Sequence, residues 1–162
     1  HVAAALDHIP HHAFVIDANN ADTDAFVKAH QWPLTQAANT IVVVGSRAEL
    51  IVHAMCVVQA STKIDVNKTV RKVLGVRKVS FAPASDAVEA TGMQFGSITP
   101  FGAPHGWPIL VDARLTTAGL IAVGGGRRQL KIAVDGQSLA GLPGVQVVEG
   151  LAVPKESTGA EL

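Results

Sequence analysis

The stretch of the sequence best suited to surround a reacting group runs from Gly96 to Pro108. It places three glycines and three prolines in thirteen positions. Proline fixes φ and glycine permits positive φ, so such a loop can be rigid and yet sharply bent. A loop of this kind can direct backbone N–H groups at a developing oxyanion. Its composition alone, however, favours a long connection that is shaped only by its turns.

A second glycine-rich segment, Gly124 to Arg128, follows an apolar strand and invites comparison with nucleotide-binding loops. A dinucleotide fingerprint would need a third glycine where Gln129 stands, followed by a helix. Residues 129–134 instead alternate in the manner of a strand, so the glycines indicate a turn between strands. The narrow profile of this turn can admit a close ligand, and Arg127 and Arg128 can contact a phosphate.

The histidine and cysteine residues give weaker evidence for a functional site. His8, His11 and His12 share their spacing with no cysteine or carboxylate partner, so a solvated terminal cluster is favoured over a metal site. Cys56 lies inside an apolar strand. Because its separation from His53 is odd, the two side chains should point to opposite faces of that strand. We therefore predict that Cys56 is a buried small hydrophobe and not half of a catalytic dyad.

Composition bounds the class of protein. The chain has 162 residues, of which 48% are hydrophobic and 16% charged, which suits one domain over residues 1–162 with a substantial aliphatic core. Thirteen basic residues balance thirteen acidic ones. This balance argues against a strongly basic nucleic-acid binder and predicts no DNA partner.

Local charge and cysteine content add two expectations. The basic cluster Lys68, Arg71, Lys72, Arg77 and Lys78 is either a solvated face or a surface that steers an RNA backbone. A single cysteine excludes an internal disulfide and suits a reducing compartment, so we expect a cytoplasmic protein. No apolar run is long enough to span a bilayer, and residues 1–6 lack the features of a signal peptide, so no membrane partner is expected.

Hydrophobic periodicity predicts seven strands, over residues 13–16, 40–44, 51–58, 78–81, 108–111, 120–123 and 129–134. It predicts helices over residues 22–29, 66–74, 83–91 and 136–142, and a polar tail that frays from Val153. In the clearest helix the apolar side chains recur at i, i+4, i+7 and i+8 from Val66, with Asp65 as N-cap and Gly75 as the C-terminal stop. Strands and hairpins dominate, which predicts an α+β fold with a mixed, partly barrel-like sheet and flanking helices.

Several segments, in this order and spacing, resemble the YbaK and prolyl-tRNA-synthetase-associated editing domain family. The matching segments cover residues 61–68, 74–82, 87–93, 96–102, 108–112 and 123–128, and together they extend over about residues 35–135. No single motif is diagnostic, but their joint order is specific enough to favour a ligand loop at residues 96–102 over a plain connection.

This resemblance implies a mixed sheet with flanking helices and a trans-editing activity. The reaction would be hydrolysis of the ester that joins a mischarged amino acid to the terminal adenosine of a tRNA. The implied partners are the 3′ end of an aminoacyl-tRNA and an aminoacyl-tRNA synthetase, and no metal or organic cofactor is implied. An aminoacyl ester is already activated, so positioning a water and stabilising the oxyanion can suffice.

The resemblance also implies site residues. The loop that begins at Gly96 would surround the ester, and the Gly124 to Gly126 turn would border the same pocket. The implied catalytic residues are Asn39, Gly96, Ile98, Thr99 and Pro100. The implied substrate-binding residues are Thr40, Lys63, Phe101, Gly102, His105, Gly124, Gly125, Gly126 and Arg127.

The sequence departs from the family at Asn39, since the family usually carries Lys-Thr where Asn39 and Thr40 stand. A neutral amide makes weaker hydrogen bonds than an ammonium. We therefore expect hydrolysis that is slow or absent relative to lysine-bearing relatives, with Lys63 as the nearest basic residue able to compensate. Two alternatives remain open: a binding module that holds the aminoacyl-tRNA 3′ end or an amino-acid-like ligand without turnover, and an assembly domain with a vestigial pocket.

Overall fold

The computed structural model describes residues 1–155. Its strands are β1 (His11–Val15), β2 (Ala38–Arg47), β3 (Leu50–Gln59), β4 (Thr62–Ile64), β5 (Lys78–Phe81), β6 (Ile109–Asp112), β7 (Leu120–Gly124), β8 (Leu130–Asp135), β9 (Val145–Val148) and β10 (Ala152–Pro154). Its α-helices are α1 (Val2–Leu6), α2 (Thr23–His30), α3 (Arg71–Leu74), α4 (Ala84–Thr91) and α5 (Ala113–Thr116).

The β2–β3 hairpin forms the middle of the largest sheet. Its strands are rich in β-branched residues, which suit a pleated surface. They pair in antiparallel register along their whole length, from Ala38 opposite Gln59 to Arg47 opposite Leu50. The connection is only two residues long, and Ala48 there adopts a φ of 53°. The predicted hairpin is therefore confirmed, with longer strands than expected.

The strands form three sheets, and the hairpin lies in the largest of them. The five-stranded sheet has the order β5-β2-β3-β6-β9, with β6 and β9 parallel to β3 and the other pairs antiparallel. A three-stranded antiparallel sheet has the order β1-β8-β7, and a two-stranded one pairs β10 with β4. The mixed α+β class is confirmed. The strands of residues 1–155 do not close into a barrel, although an isolated bridge between Ala37 and Ala122 links the two larger sheets.

The predicted helix over residues 66–74 has two parts. Val66–Val70 forms a π-helical turn, and α3 completes the segment. Asp65 caps this start, because its carboxylate accepts from the Thr69 hydroxyl at 3.0 Å and from the Lys68 N–H at 3.3 Å. Gly75 ends α3 in the left-handed conformation, with a φ of 67°. The predicted cap and stop are thus confirmed. The expected helix over residues 136–142 is a 3₁₀ helix, Gly136–Gly141.

Strand β3 separates two apolar cores, because its successive side chains point to opposite faces. Met55 and Val57 pack into the larger core and Cys56 into the smaller one. Cys56 is fully buried, and this burial raises the pKa of its thiol to about 12. The predicted buried role of Cys56 is confirmed. The ring of His53 stacks on that of Trp107, with the centroids 5.2 Å apart.

The structure corrects the expectation for the C-terminal segment. A fraying tail was expected from Val153, whereas Ala152–Pro154 forms β10 and pairs with β4. The backbone N–H of Ala152 also donates to the buried carboxylate of Asp112 at 3.1 Å, which anchors this strand. Residues 156–162 of the expected tail lie outside the described part of the chain. The sequence pattern did not reveal β4, β9, β10, α1 or α5, all of which have five residues or fewer.

Within residues 1–155, none of the helices has the length and apolar character needed to cross a lipid bilayer.

Two loop glycines that share one backbone conformation allow a test of the contact between the loop and the N-terminal segment, residues 1–2. Gly102 and Gly106 have φ of 81° and 82°. A Cβ on Gly102 would lie 2.8 Å from the carbonyl carbon of His1 and 2.9 Å from the backbone nitrogen of Val2, whereas one on Gly106 would meet nothing within 4 Å. We predict that Gly106→Ala costs about 1–2 kcal/mol for its backbone conformation. Gly102→Ala should cost about 1–3 kcal/mol more.

Urea unfolding of the two variants measures this difference. Equal losses of unfolding free energy would show that the N-terminal segment moves aside freely and does not fix the loop.

Candidate functional site

A cavity of about 450 Å³ opens where β2 begins, beside the loop at residues 95–98 and the end of β7. Its wall combines apolar side chains with two lysines, two aspartates and an amide. The lining residues are Asp22, Thr23, Asp24, Ala38, Asn39, Thr40, Ile41, Val42, Phe81, Ala82, Ala87, Phe95, Gly96, Ile98, Gly124, Lys131 and Lys155. This mixture of an apolar wall and a few convergent polar groups is typical of small-ligand sites.

The structure brings three segments singled out in the sequence to this cavity. Asn39 and Thr40 come from β2, Gly96 and Ile98 from the loop, and Gly124 from the end of β7. Their adjacency agrees with the expected location of the pocket, while the role of each residue remains a prediction.

The other predicted residues do not line this cavity. Phe101 is fully buried in the main core, and Thr99 is also fully buried. This burial turns the second half of the loop away from the cavity. Residues Pro100, Gly102 and His105 instead border a separate opening of about 880 Å³. That opening is larger, but it is formed mainly by proline, glycine and other apolar residues.

The last two glycines of the glycine turn, Arg127 and Lys63 also lie outside the cavity wall. Gly125, Gly126 and Arg127 line a different depression, next to α1. Lys63 is exposed on β4, where Val153 is its strand partner, and does not line the cavity. Since Lys63 is paired within the two-stranded sheet and lies outside the cavity wall, its compensating role stays a prediction.

The amide of Asn39 is oriented by a neighbour on α2. The hydroxyl of Thr23 donates to the Asn39 side-chain oxygen. The side-chain nitrogen of Asn39 makes no hydrogen bond within residues 1–155, so its two N–H donors are available at the cavity wall. The adjacent Thr40 hydroxyl is buried and has no partner among the same residues. The buried hydroxyls of Ser97 and Thr99 also lack a partner among these residues, but of the three only Thr40 lines the cavity, where a ligand can reach it.

Arg128 fixes the first residues of the loop. Its guanidinium donates to the carbonyls of Phe95 and Ala18, both at 3.0 Å, and lies 3.7 Å from the carboxylate of Asp22. Gly96 lies beneath this guanidinium with a φ of 87°, a backbone conformation that favours glycine, and a Cβ there would approach Nη1 of Arg128 to 2.6 Å. Arg128 thus has a positioning role in the structure, whereas the sequence suggested that it contacts a phosphate.

Gly124 lies against the backbone of the loop. A Cβ there would stand 2.7 Å from the carbonyl oxygen of Ser97 and 2.9 Å from that of Ile98. The Gly126 N–H also donates to the Ser97 carbonyl at 2.8 Å, which ties the turn to the loop. The strand end and the loop are therefore in direct backbone contact, and this contact shapes one side of the cavity.

Along residues 96–99, backbone N–H groups with a hydrogen-bond partner alternate with N–H groups that have none among the described residues. The Ser97 N–H donates to the Gln94 carbonyl at 3.0 Å, and the Thr99 N–H points to the sulfur of Met93 at 3.4 Å. The described residues supply no acceptor for the N–H of Gly96 or of Ile98, and both residues line the cavity. Backbone donors held in this way can bind an oxyanion.

Lys131 is the functional candidate that the sequence did not reveal. It lies on β8, opposite Gly124 of β7 and Phe14 of β1, and only 3% of it is exposed. Its Nζ is 5.0 Å from the centroid of the buried Phe26 ring. Burial lowers the pKa of Lys131 from 10.5 to about 8; the charge of Asp22 partly opposes this shift and that of Arg128 adds to it.

The strand pattern explains why Lys131 was missed. Apolar side chains occupy every second position of this strand, at Leu130, Ile132 and Val134. This pattern predicts that Lys131 lies on the solvent-exposed face. In the structure that face is covered by α2 and the cavity, so both sides of β8 are buried. The sequence carried no signal of this burial, since lysine is almost never fully buried without a partner.

Comparison with known proteins adds the decisive observation. A family model described as an aminoacyl-tRNA editing domain matches residues 17–142. The chain belongs to this family. The resemblance found in the sequence is thereby confirmed, and the matched range includes every residue of the cavity wall except Lys155.

Solved structures show the same fold. A hypothetical protein designated APE2540 superposes with a TM-score of 0.80 at 18% identity, covering 94% of this chain and 96% of that one. A candidate trans-editing enzyme for prolyl tRNA synthetase gives 0.77 at 21% identity, covering 96% and 95%. A candidate signal transduction protein from Marinobacter aquaeolei VT8 gives 0.62 at 17% identity, covering 93% of this chain but 30% of that one. The editing-domain fold thus accounts for nearly the whole chain.

Gly124→Ala should displace the loop. Since the added methyl would press on the Ser97 carbonyl, we expect a loss of about 1–3 kcal/mol in unfolding free energy. Faster amide exchange at Gly126 should accompany it, because its bond to Ser97 breaks. Gly141→Ala is the matched control, as nothing lies within 4 Å of its added Cβ. Unchanged exchange at Gly126 in Gly124→Ala would contradict the proposed contact.

Lys131→Met should stabilise the protein at neutral pH. With a pKa of about 8 in the folded state and 10.5 ordinarily, Lys131 binds fewer protons in the folded than in the unfolded chain between these values. The unfolding free energy of the wild type should therefore rise with pH across this window. We expect the methionine variant to be more stable by about 1–3 kcal/mol at pH 7, with a difference that shrinks above pH 8.

Denaturant unfolding from pH 7 to 10.5 measures the effect, with Lys28→Met on the exposed face of α2 as the control. A constant difference across this range would show that the pKa of Lys131 is not lowered.

Proposed function

We propose that this protein hydrolyses the ester bond between a mischarged amino acid and the 3′-terminal adenosine of a tRNA. The observation that carries the proposal is the family match over residues 17–142, which contains nearly all of the cavity wall. The cavity volume of about 450 Å³ also falls in the range of small-ligand sites, roughly 300–1,000 Å³.

The donors around the cavity suit this chemistry. Hydrolysis of an ester passes through a tetrahedral species with negative charge on the former carbonyl oxygen, and fixed donors stabilise it. The N–H groups of Gly96 and Ile98 and the amide of Asn39 supply such donors at one cavity. The Thr40 hydroxyl, which has no partner in the described chain, can bind the ribose or the attacking water.

The acidic side chains suit the other end of the substrate. An aminoacyl ester carries an α-ammonium group, and Asp22 and Asp24 both line the cavity. Asp22 is paired with Arg128 at 3.7 Å, which leaves Asp24 as the cavity-wall carboxylate that has no ion pair among the described residues. We assign Asp24 to the α-ammonium group on this basis.

A basic depression offers a contact for the rest of the tRNA. Its charged residues come from β2, the π-helical turn, α3 and the segment before β5. They are Arg47, Lys68, Arg71, Lys72 and Arg77. Phosphate contacts by such side chains provide affinity without sequence specificity. An aminoacyl-tRNA synthetase is the second partner we propose, and the cytoplasm is the compartment, because tRNA charging takes place there.

The second candidate function is binding of the aminoacyl-tRNA 3′ end without turnover. The neutral amide of Asn39 favours it, because a neutral donor is about half as strong as a charge-assisted one. Both functions predict binding at the same cavity, and only hydrolysis separates them.

A deacylation panel tests the proposal. We expect the purified protein to release the amino acid from at least one mischarged tRNA faster than the spontaneous rate. Asn39→Ala should lower kcat by about 10²–10³, the usual effect of removing an oxyanion donor. Asn67→Ala, on the exposed π-helical turn, is the matched control and should have no effect.

Binding of a non-hydrolysable aminoacyl-tRNA without release from any member of a complete panel would support the binding module instead. An Asn39→Lys variant much faster than the wild type would confirm the expected slow hydrolysis. A wild type that is already as fast would contradict it.

A further inference from the structure

The ammonium of Lys131 is buried and lacks a counter-ion in the described part of the chain. No carboxylate of residues 1–155 lies within ion-pair distance of its Nζ, and no hydrogen bond from it is present there. The closest interaction partner is the Phe26 ring at 5.0 Å. Cation–π attraction to phenylalanine offsets only part of the desolvation of an ammonium group.

The charged groups around Lys131 do not provide a counter-ion in contact with its ammonium. On α2 and the residue before it, Asp22 is paired with Arg128, while Asp24 is exposed. The cation Arg128 follows β7 and repels Lys131, and Lys155 adds a second positive charge to the cavity wall. The rings of His12 and His30 are stacked on those of Phe14 and Phe26, respectively, and an imidazole cannot act as a counter-ion for an ammonium group.

A purely structural lysine would be a poor choice at this position. Its strand neighbours Leu130 and Ile132 pack in apolar surroundings, and an apolar side chain of similar length would fill the same space. A buried ionisable group that borders a cleft is a candidate for a functional residue, and an anionic ligand would supply the missing opposite charge. Because Lys131 lines the cavity, that ligand has direct access to it.

We propose that the Lys131 ammonium stabilises the negative charge that forms on the ester carbonyl oxygen during hydrolysis. This assignment rests on the proposed function and names a further residue for the same site. It also gives the cavity a cation although position 39 holds the neutral Asn39.

The step balances as ordinary ester hydrolysis. A water oxygen forms a bond to the carbonyl carbon, and the carbonyl π electrons move to its oxygen, where Lys131 and the loop amides meet the charge. Collapse of this species re-forms the carbonyl and breaks the bond to the 3′ oxygen of the ribose. The proton released by the water goes to that ribose oxygen, and the amino acid leaves as a carboxylate after losing its second proton to solvent.

The strand register places Lys131 beside the loop donors. Lys131 is the β8 partner of Gly124, and Gly124 packs against the carbonyls of Ser97 and Ile98. The ammonium and the unpartnered amides of Gly96 and Ile98 therefore border one cavity from adjoining elements. This arrangement is a charged counterpart of an oxyanion hole.

Two stable adenosine derivatives test the assignment. The 3′-(1-aminoethyl)phosphonate monoester carries a tetrahedral anion, and the 3′-alanylamide keeps a neutral carbonyl in the same place. The alanyl side chain is chosen because a methyl group makes the smallest demand on the cavity. We expect the wild type to bind the phosphonate more tightly than the amide.

Lys131→Met should abolish this preference while changing the affinity for the amide less than about threefold. It should also lower kcat for deacylation by about 10²-fold with little change in KM, as for loss of a transition-state contact. Lys131→Arg should keep part of the preference. Lys28→Met, on the exposed face of α2, is the control and should match the wild type.

The pH dependence gives a second readout. The preference for the phosphonate should fall as pH rises through about 8, where Lys131 loses its proton. Ordinary carboxyl and imidazole groups have lower pKa values, while ordinary lysine and arginine side chains have higher ones. The wild type and Lys131→Arg are measured with the same two ligands. A fall in phosphonate preference near pH 8 that is present in the wild type and absent in Lys131→Arg therefore arises from Lys131.

The outcomes separate this assignment from the proposed function. Deacylation and phosphonate preference that both survive in Lys131→Met would overturn the role of Lys131 and leave the function intact. If the wild type hydrolyses none of the substrates, and its preference for the phosphonate is lost in Lys131→Met, the proposed hydrolysis is overturned and the anion site is retained. Thermal unfolding verifies that each variant is folded.

Discussion

The backbone contact between the end of β7 and the loop at residues 96–98 is the constraint on which the cavity depends. Gly124 has no room for a side chain, because the Ser97 carbonyl would lie 2.7 Å from its Cβ. The hydrogen bond from the Gly126 N–H to the same carbonyl holds the two segments together. Since β7 pairs with β8, this contact also sets the position of Lys131 relative to the loop. The unpartnered amides and the buried ammonium therefore meet at one place through backbone geometry alone.

The sequence predicted the parts of the fold that local periodicity controls. The hairpin, the strand Lys78–Phe81 and the cap and stop around residues 65–75 follow from β-branched runs and from Asp65 and Gly75. The short strands β4, β9 and β10 carry too few residues for a recognisable pattern, and distant partners stabilise them. The class and family were predictable because many segments agreed at once, not because any single motif was strong.

The candidate site was predictable only in outline. The sequence identified Asn39, Thr40, Gly96, Ile98 and Gly124, whose chemistry or flexibility is visible in the residue type. Phe101 and Lys63 lie outside the cavity wall, which the sequence could not show because burial in a core and strand pairing depend on tertiary contacts. The sequence missed Lys131 for the same reason: a lysine between two apolar strand residues gives no indication that a helix covers its face.

The pairing of β1 with β8 has a consequence for the order of folding. Residues 11–15 must find residues 130–134, which are more than a hundred positions away along the chain. Closing so long a loop is slow relative to forming the β2–β3 and β7–β8 hairpins, whose partners are close in sequence. During synthesis, the N-terminal strand therefore waits unpaired until nearly the whole domain has left the ribosome. An unpaired strand is a point at which nascent chains can associate wrongly, so β1 is where we expect chaperone protection to matter most.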